Sequence, residues 1–148
     1  MAADKKEIAG LMGEHGAIRA HMKFLIDSLN SLAAPSSQVK DRIWSYRLGL
    51  YDFRDGIRLH IDLDERIFKA LSGSASVAET MKEHGEIQKQ VDEAIRLADH
   101  AVNNKLGQEA LNQQASKIKE VFNRICELIE AHTAREDRLL KLVQKGES

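Results

Sequence analysis

Apolar residues recur along the chain at steps of three and four. The first series is Leu11, His15, Ile18, Met22, Leu25 and Leu29. The second is Ile43, Tyr46, Leu50, Phe53, Ile57, His60, Asp64, Ile67 and Leu71. The third is Val77, Met81, His84, Gln88, Val91, Ile95, Ala98 and Val102. The fourth is Leu111, Ala115, Ile118, Phe122, Ile125, Ile129, His132, Glu136, Leu139 and Val143. Each is the stripe of an amphipathic α-helix, and no alternating strand pattern competes. Three breaker clusters separate the series: AAPSS (33–37), SGSAS (72–76) and NNKLG (103–107). Short connections imply antiparallel neighbours. The pattern predicts an all-α, up-down-up-down four-helix bundle in one domain over residues 1–148. Ser76 and Glu79 have the spacing of a capping box for the third helix. Gly49 and Gly56 weaken the second helix by up to ~1 kcal/mol each relative to alanine, but do not end it.

The polar members of these stripes change the picture. They are His15, His60, Asp64, His84, His132 and Glu136, with Gln88 beside them. Each helix places one histidine on its apolar face. His60 and Asp64 are separated by ~40° and ~6 Å on one face, and His132 and Glu136 repeat that spacing. His21 lies ~120° from His15, and His100 ~160° from His84, so both read as surface residues. A buried histidine stacked on a buried carboxylate is costly unless something pairs them.

The chain also repeats itself. EHGAI (14–18) answers EHGEI (83–87), and HIDLDER (60–66) answers HTAREDR (132–138). The first helix pair looks like a diverged copy of the second. A pseudo-two-fold bundle brings the two sets to its axis, and the four histidines fall in one layer. Imidazole and carboxylate together suit iron, manganese or zinc. Two carboxylates can bridge two metal ions, leaving about two histidines on each and open positions besides. The ferritin-like plan differs, since it uses Glu-x-x-His on two helices and a lone Glu on the others.

Two bland readings compete. Histidine phosphotransfer modules are also four-helix bundles, but their histidine must face solvent, and here the candidates face inward in fours. A structural zinc ion prefers a closed tetrahedral set, and six nitrogen and oxygen ligands are too many for one. Tyr46 and Phe53 read as core, and Cys126, off the ligand stripe, as a partly buried structural thiol. The KKE, RED and KEH charge groups read as solvated helix faces.

The set His15, His60-x-x-x-Asp64, His84, His132-x-x-x-Glu136 resembles the hemerythrin-like, or HHE cation-binding, family. It is most similar to the four-histidine, two-carboxylate branch that includes repair-of-iron-centres proteins. The resemblance covers nearly the whole chain. It implies two non-haem iron ions with an oxo or hydroxo bridge, and Asp64 and Glu136 bridging as well. The ligand it implies is dioxygen, nitric oxide or a peroxide. Turnover as an oxidase, peroxidase or nitric-oxide reductase is compatible with such a centre. Three departures stand out. Oxygen carriers have a fifth histidine where this chain has Gln88, a candidate distal residue, which argues against reversible oxygen carriage. The first bridge is Asp64 rather than the usual glutamate. Carriers also place the last carboxylate five residues after the histidine, which here is Asp137. Glu136 is favoured because it lies on the apolar stripe, and Asp64 is favoured over Glu65 for the same reason.

Charge and composition exclude some partners. With 22 basic and 23 acidic residues and a net charge of -1, there is no basic stripe for nucleic acid. A single cysteine, Cys126, rules out an internal disulfide and suits a reducing compartment. The opening MAADKKEIAGLMGEHG has no long apolar run. That predicts neither a signal peptide nor a membrane span, and a cytoplasmic protein.

Overall fold

The computed structural model describes residues 5–32, 39–71 and 75–146. These form four helices: α1 (Lys5–Leu32), α2 (Val39–Leu71), α3 (Ala75–Asn103) and α4 (Gln108–Gly146). Each helix packs on its neighbour in sequence, and α1 closes the ring against α4. The result is the up-down four-helix bundle that the stripes predict. The side chains of Leu71, Ser76, Val77 and Val143 and the segments 33–38 and 72–74 lie outside the described residues. No helix is long and apolar enough to cross a membrane among the described residues.

The breaker at 103–107 works as its composition suggests. α3 stops at Asn103, and Asn104 Nδ2 donates to the His100 carbonyl at 2.9 Å, covering an acceptor left open at the helix end. The Leu111 amide donates back to the Gly107 carbonyl at 2.9 Å, joining the loop to α4. The capping box predicted for Ser76 and Glu79 rests on the Ser76 side chain, outside the described residues; α3 runs from Ala75, and Glu79 pairs with Arg135 on α4 at 3.1 Å.

The core has two unequal parts. The larger runs from Met22, Leu25 and Leu29 through Tyr46, Phe53 and Phe122 to Ile129. Phe122 meets both Tyr46 and Phe53 edge-on, with ring centres 6.0 and 5.8 Å apart. The smaller joins Ile8, Leu11, Ile67, Phe68 and Leu140. Cys126 packs half-buried against the large part, and burial pushes its thiol up to about 11. Between the two parts lies a polar layer.

α3 follows the predicted phase only in part. His84, Val91, Ile95 and Ala98 of the predicted stripe are buried, while Met81, Gln88 and Val102 are half-buried. Thr80, Ile87, Ala94, Leu97 and Ala101 are buried as well, and the line Thr80, His84, Ile87, Val91, Ala94, Ala98, Ala101 steps by four and three in turn, a mean of 3.5 rather than 3.6.

Two glycines of α2 meet opposite surroundings. A Cβ at Gly49 would lie 2.9 Å from Leu25 Cδ2, so α1 and α2 touch closely there. A Cβ at Gly56 would meet nothing within 4 Å. Gly56→Ala is therefore expected to stabilise the fold by roughly 0.5–1 kcal/mol, the ordinary gain of alanine over glycine in a helix. Gly49→Ala gains less or nothing, because Leu25 must move. Urea midpoints of the two variants test this, and equal gains would contradict the close contact.

Candidate metal centre

Six side chains make the polar layer. They are His15, His60, Asp64, His84, His132 and Glu136, and none is more than 4% exposed. The i, i+4 spacing on α2 and α4 stacks each carboxylate one turn beyond its histidine. The four helices aim all six at the bundle axis. Glu65 and Asp137, the alternatives for the two carboxylates, point elsewhere.

The six fall into two groups that share one member. Asp64, His84, His132 and Glu136 bring their ligand atoms within 4.8 Å of one another, and so do His15, His60 and Glu136. Glu136 Oε1 lies 2.9 Å from His132 Nε2 and 3.3 Å from His15 Nε2. Asp64 Oδ2 lies 2.7 Å from His84 Nε2 and 3.5 Å from His132 Nε2. The His84 and His132 Nε2 atoms are 3.1 Å apart. Asp64 belongs to one group where Glu136 belongs to both. Its side chain is one methylene shorter.

The inner atoms are not satisfied by the protein alone. His15 Nε2, His60 Nε2, Asp64 Oδ1 and both Glu136 oxygens are buried without a hydrogen-bond partner. Each such buried group costs about 1–3 kcal/mol if it stays unpaired. Nitrogen and oxygen lone pairs that converge in two adjacent sets suit metal ions. The residues therefore fit a metal pair bound through Nε2 and carboxylate oxygen.

The outer nitrogens are all occupied. His15 Nδ1 donates to Asp137 at 2.7 Å, and His60 Nδ1 to Glu14 at 2.9 Å. His84 Nδ1 donates to Glu65 at 3.4 Å, and His132 Nδ1 to Glu83 at 2.5 Å. A carboxylate on Nδ1 fixes the tautomer with Nε2 free, and it raises the basicity of that nitrogen. This is the arrangement a metal-binding imidazole needs.

Two arginines hold two of those carboxylates in turn. Arg135 donates to Glu83 at 2.8 Å and to Thr80 at 2.9 Å. Arg19 lies 3.7 Å from Asp137 and donates to Thr133 at 3.0 Å and to Glu130 at 2.8 Å. So the RED and KEH groups are not simply solvated faces: Glu83, Arg135 and Asp137 are half-buried parts of the centre. The internal repeat carried this signal. Glu14 and Glu83 precede His15 and His84 in the two EHG copies, and each holds the histidine of the next helix. Glu65 and Asp137 follow the two bridging candidates, and each holds a histidine on the neighbouring helix.

The charges are interlocked. Burial alone pushes the Asp64 carboxyl up, but hydrogen bonds with His132 and His84 outweigh it, and the net shift is well below the usual range. Burial pushes His132 down, yet hydrogen bonds to Asp64, Glu136 and Glu83 carry it up to about 10. Burial lowers His15 likewise, and Glu136 and Asp137 leave it raised. Without metal the layer therefore holds protons that a metal ion must displace.

The remaining candidates lie apart. Gln88 is half-buried and belongs to neither group. A cavity of about 10 Å³ beside the layer is lined by His60, His84, His132 and Ile87, not by Gln88. His100 is exposed, as expected. His21 is not on the open surface: it is half-buried, with its ring edge-on to Phe53 at 5.3 Å. Its face of α1 turns toward α2 rather than solvent.

No protein-family model, curated protein or solved structure matches this chain.

The outer carboxylates yield a test. Glu83→Ala should weaken binding of cobalt(II) by about 10–100-fold, the usual size of such effects. Glu86→Ala, one turn along the same helix and exposed, should not. Competition with a chelator measures both, and equal affinities in the two variants would contradict the role of Glu83.

Proposed function

We propose that this chain is a hemerythrin-like non-haem di-iron protein that binds dioxygen, nitric oxide or peroxide, as a reactive centre or a sensor. The observation that carries this reading is the pair of ligand groups sharing Glu136, with every histidine held on its outer nitrogen by a carboxylate. A single structural zinc ion would not use two sets. A phosphotransfer histidine would not be buried, as all four are. Mixed imidazole and carboxylate ligands favour iron or manganese over softer metals. The resemblance of the histidine and carboxylate spacing to the hemerythrin-like family then favours iron.

When bound, ferrous iron supplies electrons to a small diatomic or peroxide ligand. The protein's own contribution is positional. His15, His60, His84 and His132 bind through Nε2. Glu136 spans both groups. Ile57, Ile61, Ile87 and Ile129 wall the adjacent cavity and keep it dry. That cavity of about 10 Å³ has room for roughly one water-sized molecule. The group of His15, His60 and Glu136 has only three protein ligands, and no fifth histidine stands at position 88, so exchangeable positions remain. Such a centre suits reaction or sensing better than storage of oxygen.

Metal analysis of protein purified without a histidine tag tests the reading. About two irons per chain are expected, one for each group. His60→Ala and His132→Ala should lower that content strongly, and His100→Ala should leave it unchanged. Iron should also raise the melting temperature, since a ligand at 100 times its dissociation constant adds ~2.7 kcal/mol to the native state. A folded chain that takes up no iron under anaerobic ferrous conditions, and melts the same with or without it, would refute the proposal.

A further inference from the structure

A groove of about 190 Å³ opens between α1 and α2. From α1 it is lined by Glu14, Ala17, Ile18 and His21. From α2 it is lined by Phe53, Gly56, Ile57 and His60. Both sets step i, i+3, i+4, i+7, so the groove follows the seam where the two helices face each other. Its rim is small, with Ala17 and Gly56 exposed. Its floor is Phe53, Ile57 and His60, all buried. Beneath the floor lies the 10 Å³ cavity beside the polar layer. The groove and the cavity share Ile18, Ile57 and His60 as their common wall.

The internal repeat offers a built-in comparison. The same offsets that relate His15 to His84 and His60 to His132 relate Ala17 to Glu86, Ile18 to Ile87 and Gly56 to Leu128. The corresponding hollow between α3 and α4 is larger, about 400 Å³, but its lining of Glu79, Lys82, Glu83, Glu86, Ile87, Leu128 and Ala131 includes no histidine of the centre. Leu128 stands where the first half has Gly56, and it packs against the core. The two halves thus keep the same pair of histidines but differ in whether a hollow reaches one of them.

We propose that the α1–α2 groove is the entrance by which a small uncharged molecule reaches the centre, with Gly56 keeping it open and Ile18 and Ile57 as its inner door. A diatomic molecule or hydrogen peroxide suits a groove of about 190 Å³ whose lining is mostly apolar, with Glu14 and His21 at its two ends on α1. The kind of molecule rests on the di-iron reading, whereas the route rests on the groove alone.

Two measurements separate those claims. The first needs no iron. Methyl-labelled protein, metal-free or zinc-loaded, is examined by NMR with dissolved oxygen, whose paramagnetism broadens the methyls it approaches. Ile18 and Ile57 should broaden, while Ile43 and Ile118 in the packed core should not. Gly56→Leu, which installs the residue of the other half, should remove the effect. The second uses rapid mixing of the ferrous protein with nitric oxide. Gly56→Leu should slow association about tenfold, equivalent to an added barrier of ~1.4 kcal/mol, without changing metal content. Gly10→Leu, on an open face of α1, should leave the rate unchanged. Oxygen broadening at Ile18 and Ile57 that depends on Gly56, in a chain that takes up no iron, supports the route while the di-iron reading fails. A ferrous protein that binds nitric oxide equally fast with and without Gly56→Leu overturns the route and leaves the di-iron reading standing.

Discussion

Everything else in this bundle is arranged around the burial of six ionisable groups in one layer. Removing imidazoles and carboxylates from water is unfavourable unless each polar atom is paired. The protein pairs the outer nitrogens with Glu14, Glu65, Glu83 and Asp137, and leaves the inner atoms facing one another. The layer also divides the apolar interior. A large core with Phe53 and Phe122 lies on one side, and a small core with Phe68 and Leu140 on the other. Both are needed, because the layer must be shielded from water at each end of the bundle. The four outer carboxylates sit in the seams between neighbouring helices for the same reason: they reach solvent while touching a buried ring.

The two-fold relation between the helix pairs is close but broken at telling places. Glu14 and Glu83 do equivalent work, as do Glu65 and Asp137. The break comes at the inner carboxylates. Glu136 reaches both ligand groups, and Asp64 joins only one. A second break is the pair of arginines. Arg135 draws on Glu83 and Arg19 on Asp137, whereas no arginine is found on Glu14 or Glu65 among the described hydrogen bonds and ion pairs. A carboxylate shared with a guanidinium is a weaker base toward its imidazole. The histidines therefore differ in how strongly they can donate electron density, even though their geometry is nearly repeated.

Much of this was legible in the sequence. The stripes define four helices, because apolar spacing decides which face is buried whatever the loops do. The choice of Asp64 over Glu65 and of Glu136 over Asp137 follows from phase, and the buried positions of Asp64 and Glu136 agree with it. Three features escaped. Gln88 and Ile87 lie only one residue apart, and the 3.5-residue seam of α3 puts Ile87 inward; a strict stripe cannot resolve that difference. His21 looked exposed by angle alone, yet a neighbouring helix covers that side of α1. The outer carboxylates were hidden in charge runs, since partners on other helices cannot be read from one helix. Their doubled occurrence in EHG and in the DE and ED pairs was the only trace.

The two asymmetries fall on the same half of the molecule. The group with three ligands contains His15 and His60, and His60 is the one centre histidine that lines the groove. Its Nε2 is buried and without a hydrogen-bond partner. The group with four ligands lies against α3 and α4, where the equivalent hollow, lined by Leu128, reaches no histidine. A symmetric bundle would have two equal positions and two entrances, and an arriving molecule would have no preferred end. Here the group poorer in protein ligands is the one beside the groove. The shorter carboxylate, Asp64, and the groove residue Gly56 stand eight residues apart in α2. With the proposed entrance, the two would give the layer a front, where a ligand would arrive and find room, and a back, where protein side chains would make up more of a metal's coordination.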